Sequence, residues 1–282
     1  YKNAKIVPIS VKDDVQNYYR HYLTNAPTGR LALNAVNHWI GFADNINKDD
    51  YLLMANTCYL FQDYAKVREL LHKTDLNENW ALDVKISYAL KNYSRAKFLT
   101  ETGLQKYSQY VKDEDVYAAI DTYINLSESK SQAVERLLAL SAGKGKDYLL
   151  SLKCQNVSLK DKAACYSKLY LTYPNGDFSA DALSNIFFAK IKSGDLTNAR
   201  KIGMDHLNKF SDAASSPMVM YWLGKIAEKT NNYDEYNSYY RAVIEKYPDS
   251  YYAYRAYLRL SHLQGPLITG YINPKPIVYP YK

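Results

Sequence analysis

Three short segments in the C-terminal half of the chain share one pattern at equal spacing. They read LTYPNGD at 171–177, NKFSDAA at 208–214 and EKYPDSY at 245–251. Each places an aromatic residue before Pro174, Ser211 or Pro248, and Asn or Asp follows. Both intervals are 37 residues, since 211 − 174 = 37 and 248 − 211 = 37. A fixed period of this length indicates a repeat architecture in which each unit packs on its neighbours.

The intervals between these segments contain paired runs with helical periodicity. One interval holds FSADALSNIFFAKIK and LTNARKIGMDHLNKF, separated by SGD, with apolar residues recurring every three or four positions. Earlier in the chain, FQDYAKV and LKNYSRA align Tyr64 with Tyr93 at a spacing of 93 − 64 = 29. Only 11 glycines and 9 prolines occur, which favours helix almost throughout. These patterns predict an all-α fold, an α-α superhelix built as an irregular tetratricopeptide-like helix-pair solenoid.

The predicted solenoid occupies residues 1–263 and opens with a helix pair at 11–23 and 29–44. Breaks between helices are then expected at 127–131, 143–146 and 156–158. The repeat units that follow from the pattern are 49–78, 79–110, 114–142, 146–174, 178–211 and 216–248. Residues 264–282 hold four of the nine prolines, so they predict an extended linker or strap toward a further domain.

The unit that ends at Pro248 is similar in part to the tetratricopeptide signature. Leu223 and Gly224 stand where small residues allow two helices to cross, and Tyr240 stands at the aromatic position. The unit departs from the signature at Tyr236 and Val243, which replace alanines, so we expect a wider approach of the two helices there.

The charge and the cysteines exclude some classes of protein and leave others open. The net charge of +7 is spread along the chain without a Lys/Arg run, so no nucleic-acid partner is expected. Its mild basic excess suits an anionic polymer or a membrane surface, but plain solubility explains it best. No apolar stretch approaches a membrane span. Cys58, Cys154 and Cys165 lack metal-ligand spacing, and buried free thiols are the expected state, so cysteine usage does not indicate a compartment.

No motif for catalysis, metal binding or a cofactor is recognised. The five histidines are scattered over separate repeats, and no phosphate-binding or nucleophile motif occurs. Acids cluster at Asp49-Asp50 and at 113–115, where they are expected to begin helices and to be solvated rather than to act as catalytic acids. We therefore expect no catalytic residue, no metal and no cofactor in this chain.

The tyrosines give the strongest functional signal, because there are 30 of them against 7 Phe and 3 Trp. They are densest in YYAYRAYLRL at 251–260, where packing between helices and stacking on sugar rings are competing explanations. On a helical wheel the apolar residues surround this helix, which predicts a neighbour on two faces. The candidate interface or glycan-contact residues are Tyr251, Tyr252, Tyr254, Arg255, Tyr257 and Arg259.

The stretch YPDSYYAYRAYLRL resembles the end of the superhelical region of soluble lytic murein transglycosylases, and PIVYPYK at 276–282 resembles the opening of their catalytic domain. The resemblance covers about the last 110 residues. The catalytic Glu-Ser-x-Phe motif of that family is absent, because Glu128-Ser129 is followed by Lys130-Ser131. The resemblance implies an exported, periplasmic or cell-envelope scaffold that orients peptidoglycan glycan strands. It would also brace a C-terminal lysozyme-like domain that uses a glutamate acid/base, so whether the parent protein is an enzyme stays open.

A different class of function fits the same repeats. A tetratricopeptide-like periplasmic scaffold would bind a protein or peptide partner in its concave groove and would need no catalytic domain. Sequence beyond residue 282 would separate the two hypotheses, because only the first requires a catalytic domain there.

Overall fold

The structure is a computed structural model that describes residues 9–264. Across that range it contains fifteen α-helices, a short π-helical segment at Gly103–Tyr107 and a 3-10 turn at Ser108–Tyr110, and no strand. The predicted all-α fold of sequential helix pairs is confirmed. The proline-rich segment predicted to be extended lies outside the described residues, apart from Gln264, which is helical.

The chain divides into two compact units, residues 1–149 and residues 150–282. The helices of the first unit are α1 Ile9–Asn25, α2 Ala32–Phe42, α3 Lys48–Leu60, α4 Tyr64–Leu71, α5 Leu76–Ala89, α6 Tyr93–Thr102, α7 Asp113–Asn125 and α8 Lys130–Leu140. The division falls within α9, Lys146–Asn156. The second unit continues with α10 Leu159–Thr172, α11 Ser179–Lys192, α12 Leu196–Lys209, α13 Ser216–Lys229, α14 Tyr233–Lys246 and α15 Tyr251–Gln264.

One turn geometry joins the two helices of four separate pairs. In each turn a residue with positive φ precedes an Asp or Asn, whose side-chain oxygen accepts a hydrogen bond from the backbone N–H three residues later. The four capping residues are Asp63, Asn92, Asp195 and Asn232. The sequence alignment of Tyr64 with Tyr93 therefore reflects a shared turn, because each tyrosine directly follows its capping residue.

A second turn geometry joins one pair to the next in unit 2. The carbonyls of Tyr173, Phe210 and Tyr247 each accept a hydrogen bond from the N–H three residues later, at 3.1, 3.1 and 2.9 Å. The Ser179 and Ser216 hydroxyls also bond to the first two of these carbonyls. These aromatic residues are the ones that repeat every 37 positions, so the period corresponds to a recurring turn.

The cysteine prediction was wrong for two of the three residues. Cys154 and Cys165 form a disulfide with Cα atoms 5.4 Å apart, while Cys58 is a buried free thiol as expected. The two cysteines lie on either side of the short turn between α9 and α10, and they meet across it although they are 11 positions apart. The bond lies within the core cluster that includes Leu150, Tyr166 and Leu169.

The acid clusters do begin helices, but one acid is not solvated. Asp50 in the first turn of α3 is 2% exposed, and both of its oxygens accept hydrogen bonds from Arg20 on α1 at 2.7 Å. Lys85 on α5 pairs with Asp115 on α7 at 2.7 Å over the same sequence separation of 30. These two ion pairs each link the first helix of one pair to the first helix of the next.

Candidate functional site

Unit 2 places the predicted binding residues beside a tightly packed helix pair. A Cβ on Gly224 of α13 would come within 2.5 Å of Tyr240 Cε1 on α14, so only glycine lets the ring approach this closely. Gly224 therefore lies where the two helices cross, as predicted for Leu223-Gly224, and Tyr240 is the aromatic residue packed against it. Tyr236 and Val243, which stand in place of alanines, are buried in the same cluster. Ala253, Ala256 and Leu260 dock one face of α15 onto that cluster.

Aromatic rings connect all three helices. The Tyr221 ring on α13 lies 5.5 Å from that of Tyr240 and 5.7 Å from that of Tyr252 on α15. On its other side it meets Trp222 edge-on at 6.2 Å, and Trp222 meets Phe188 of α11 at 5.9 Å. These contacts hold the half-buried Trp222 indole between the first helices of two successive pairs.

Glu228, near the end of α13, gathers the polar contacts of the site. Its Oε2 accepts hydrogen bonds from Arg259 Nε at 2.9 Å, Tyr240 Oη at 2.9 Å and Lys225 Nζ at 3.1 Å. Arg259 also bonds to Oε1 through its second nitrogen. The Arg259 guanidinium, helped by Lys225 and Tyr240, lowers the pKa of Glu228 to about 2. Burial, and then the bond to this carboxylate, raises the pKa of Tyr240.

Two cavities adjoin α13: one of about 380 Å³ lies between α11 and α13, and one of about 300 Å³ lies between α13 and α15. Both are lined by Trp222 and Lys225, so we treat them as one surface, the unit-2 groove. Its other lining residues are Ile191, Leu196, Tyr221, Ile226, Glu228, Lys229, Arg255, Leu258, Arg259 and His262.

The unit-2 groove is strongly cationic. Lys225, Lys229, Arg255 and Arg259 line it, and the single lining carboxylate, Glu228, is already bonded to two of these cations. Arg255 is exposed and held over the Tyr251 ring at 5.8 Å, with its Nη1 donating to Tyr251 Oη at 3.1 Å. The groove therefore combines an aromatic plate with positive charge at both ends.

The six predicted residues on α15 have different roles. Arg255 and Arg259 line the groove, and Tyr251 supports Arg255. The Tyr252 ring packs against Tyr221 and the core cluster, so it is only partly exposed to solvent. The remaining two, Tyr254 and Tyr257, do not line the groove, and Tyr254 is 46% exposed. Whether any of the six contacts a ligand stays a prediction.

Sequence reasoning missed Trp222, Lys225 and Lys229. The turn period contained a signal that could have found one of them. Trp222 follows its turn residue Phe210 by 222 − 210 = 12, and Arg259 follows Tyr247 by 259 − 247 = 12. Residues at the same distance from the repeated turn lie at the same level of successive first helices.

Two further properties of the described residues are relevant to function. Among residues 9–264 no three His, Cys, Asp or Glu side chains are grouped so that they could hold a metal ion. Over the same range no helix combines the length and apolar character required to cross a membrane.

Comparison with known proteins supports the repeat assignment. The family model described as tetratricopeptide repeat matches residues 218–250, which cover the α13–α14 pair almost completely. The chain is also 31% identical over 98 residues, or 34% of its length, to an uncharacterized protein of Borreliella burgdorferi. That match spans 28% of the relative's length. This chain is a tetratricopeptide-like helical repeat region. The repeat supports a role as a helical scaffold or in protein interaction.

Proposed function

We propose that this chain is a scaffold that binds a protein or peptide partner in the unit-2 groove. The observation on which the proposal depends is that Trp222 and Lys225 are shared by both halves of one groove across three successive first helices. An extended or helical segment laid across α13 would contact all three helices. Repeat proteins commonly use such a continuous surface for recognition.

The groove chemistry indicates the kind of partner. Its cations outnumber its carboxylates, and Glu228 is bonded to Arg259 and Lys225, which leaves Lys229 and Arg255 facing solvent. An acidic segment with an apolar or aromatic anchor over Trp222 would match this arrangement. We therefore propose an acidic partner.

Selection of a displayed peptide library on the purified chain tests the proposal. We expect the enriched peptides to contain acidic residues beside an aromatic or aliphatic anchor. They should lose affinity for a Lys229→Glu/Arg255→Glu variant and keep it for Tyr254→Ala, an exposed residue outside the groove. Enriched peptides that bind the charge-reversed variant as well as the wild type would refute the assignment of the groove.

A second candidate function follows the transglycosylase resemblance, and the Cys154–Cys165 disulfide is the observation that favours it. Disulfides persist mainly in oxidising compartments, so the bond supports export to the periplasm or cell envelope. In this version the chain orients glycan strands and braces a catalytic domain in cis. A Glu-Ser-x-Phe segment in the reading frame after residue 282 would support it, and a stop codon directly after Lys282 would count against it.

The proposed compartment has its own test. Cells are quenched with acid and the free thiols are then alkylated with a mass tag. An exported chain should carry one tag, on Cys58, because the other two cysteines are oxidised. Three tags on the chain from living cells would contradict export.

A further inference from the structure

The first helix pair of unit 1 contains an aromatic cleft unlike the unit-2 groove. It has a volume of about 320 Å³ and lies between α1 and α2. Its lining residues are Tyr18, Tyr19, Tyr22, Leu31, Asn34, Ala35 and His38. The α2 residues follow a spacing of three and four, so they form one stripe along the helix that faces the three tyrosines.

The aromatic walls of this cleft are held in place from behind. The Tyr19 ring stacks on the buried Trp39 indole at 5.9 Å with an interplanar angle of 26°, and the Arg20 guanidinium lies 5.8 Å from that indole. Arg20 is in turn fixed by its two bonds to Asp50. Tyr22 occupies space that only a glycine leaves free, since a Cβ on Gly29 would lie 2.5 Å from its Oη. These rings are therefore preorganised.

The rim of the cleft consists of apolar side chains that are exposed to water. The Tyr18 side chain is 68% exposed and Leu31 is 59% exposed. Tyr18 meets Tyr19 edge-on at 6.3 Å, so the two rings form a corner instead of covering each other. A flat ligand with one apolar face could lie in this corner.

The polar groups of the cleft are free to bond to a ligand. Among the described residues, the hydroxyls of Tyr18 and Tyr22, the Asn34 amide and the His38 ring make no hydrogen bond. The lining contains no Lys, Arg, Asp or Glu. A ligand with a phosphate or carboxylate would find no Lys or Arg in the lining, whereas a neutral molecule with several hydroxyls would find several partners.

We propose that the cleft between α1 and α2 binds a neutral saccharide. A sugar ring has an apolar face of C–H groups, which suits the tyrosine plates, and an equatorial ring of hydroxyls, which suits the amide, the imidazole and the phenols. The cleft volume of about 320 Å³ accommodates one or two such rings. The site depends on these residues alone, and it adds a second ligand class to the protein-binding role proposed for unit 2.

Saturation-transfer NMR on the intact chain tests the site, with tri-N-acetylchitotriose, maltotriose and cellotriose as probes. We expect at least one trisaccharide to bind and to change the fluorescence of Trp39 behind Tyr19. Tyr18→Ala should weaken binding about tenfold, and Asn34→Ala should weaken it severalfold. Tyr18→Phe should retain most of the affinity, because phenylalanine keeps the aromatic ring on which the sugar stacks. Both exposed positions can change without disturbing the core, and circular dichroism verifies the fold.

Tyr233→Ala is the matched control, since this tyrosine of α14 is 64% exposed, lines neither the cleft nor the unit-2 groove and should leave saccharide binding unchanged. Three results would overturn the proposal. The first is no transfer to any of the trisaccharides at millimolar concentration. The second is binding that survives both Tyr18→Ala and Asn34→Ala. The third is a dimer in solution that Tyr18→Ala dissociates, because the occupant would then be a second copy. None of these results bears on peptide binding by the unit-2 groove.

Discussion

Replacing Glu228 by glutamine is predicted to loosen α15 from α13. The carboxylate accepts bonds from Arg259, Tyr240 and Lys225 with two oxygens. A glutamine keeps the shape but has a single acceptor oxygen, and its NH₂ group would face a guanidinium donor. At least one Arg259 bond is therefore lost, and that bond is a polar link between the two helices.

The size of the expected loss in stability depends on how far the hydrogen bonds of Glu228 are shielded from solvent. Hydrogen bonds to charged groups contribute about 1.5–3 kcal/mol when shielded, and exposed ion pairs contribute about 0–1 kcal/mol. The side chains of Glu228 and Arg259 are 16% and 33% exposed, so the network lies between these limits. We expect Glu228→Gln to cost about 1–2 kcal/mol, which corresponds to about 5–30-fold easier opening of α15.

Hydrogen exchange followed by mass spectrometry measures this opening directly. Peptides from residues 251–264 should exchange faster by that factor in Glu228→Gln, while peptides from unit 1 should not change. Glu245→Gln is the matched control, because Glu245 is an exposed acid on the neighbouring α14. Unchanged exchange of α15 in Glu228→Gln would refute the reasoning that this carboxylate fastens the helix.

The same carboxylate predicts a pH dependence with a definite sign. The pKa of Glu228 is about 2 in the folded chain and near 4.3 in an unfolded one, so the folded state holds the proton less tightly. Its contribution to the free energy of unfolding is present above about pH 4.3 and is lost as the pH falls toward about 2. Thermal melts of Glu228→Gln should show a weaker acid dependence than those of the wild type.

Three further predictions concern stability. Burial lowers the pKa of His206, so the folded state disfavours its protonation. The melting temperature of the protein should therefore fall as the pH drops below about 6.5, and it should fall less in His206→Gln. Reducing the Cys154–Cys165 disulfide breaks a cross-link between residues 11 positions apart and should lower the free energy of unfolding in urea by about 2–3 kcal/mol. Reductant should have no effect on a variant in which both cysteines are replaced by serine. Gly224→Ala should lower the free energy of unfolding by about 1–3 kcal/mol, because the new Cβ would collide with the Tyr240 ring. Gly41→Ala, with no atom within 4 Å of the new Cβ, should raise it by up to about 1 kcal/mol.

The repeated turns show how much of the fold could be predicted from sequence. A turn depends on a few adjacent residues, so the 37-residue spacing and the alignment of Tyr64 with Tyr93 located the helix junctions directly. The approach of Tyr240 to Gly224 was predictable for a related reason, because it belongs to one helix pair.

Contacts that depend on helix rotation could not be predicted in this way. The break at 156–158 was predicted, but its position alone does not identify the partner of Cys154. Cys154 lies three residues before the centre of the break at 157, so a symmetric turn would place it opposite position 160, since 157 + 3 = 160. The disulfide instead joins Cys154 to Cys165, and that offset depends on how α9 and α10 are rotated. The bonds from Arg20 to Asp50 and from Arg259 to Glu228 likewise require the register between successive pairs. For the same reason the unit-2 groove was missed although two of its arginines were selected.

The affinity of a charge-swapped peptide pair for the unit-2 groove tests the central claim most directly. One peptide carries an aromatic anchor flanked by glutamates, and the other carries the same anchor flanked by lysines. The wild type should bind the acidic peptide at least tenfold more tightly, and Lys229→Glu/Arg255→Glu should remove or reverse that preference. Equal affinity of the wild type for the two peptides, or a preference that survives the charge reversal, would contradict the account.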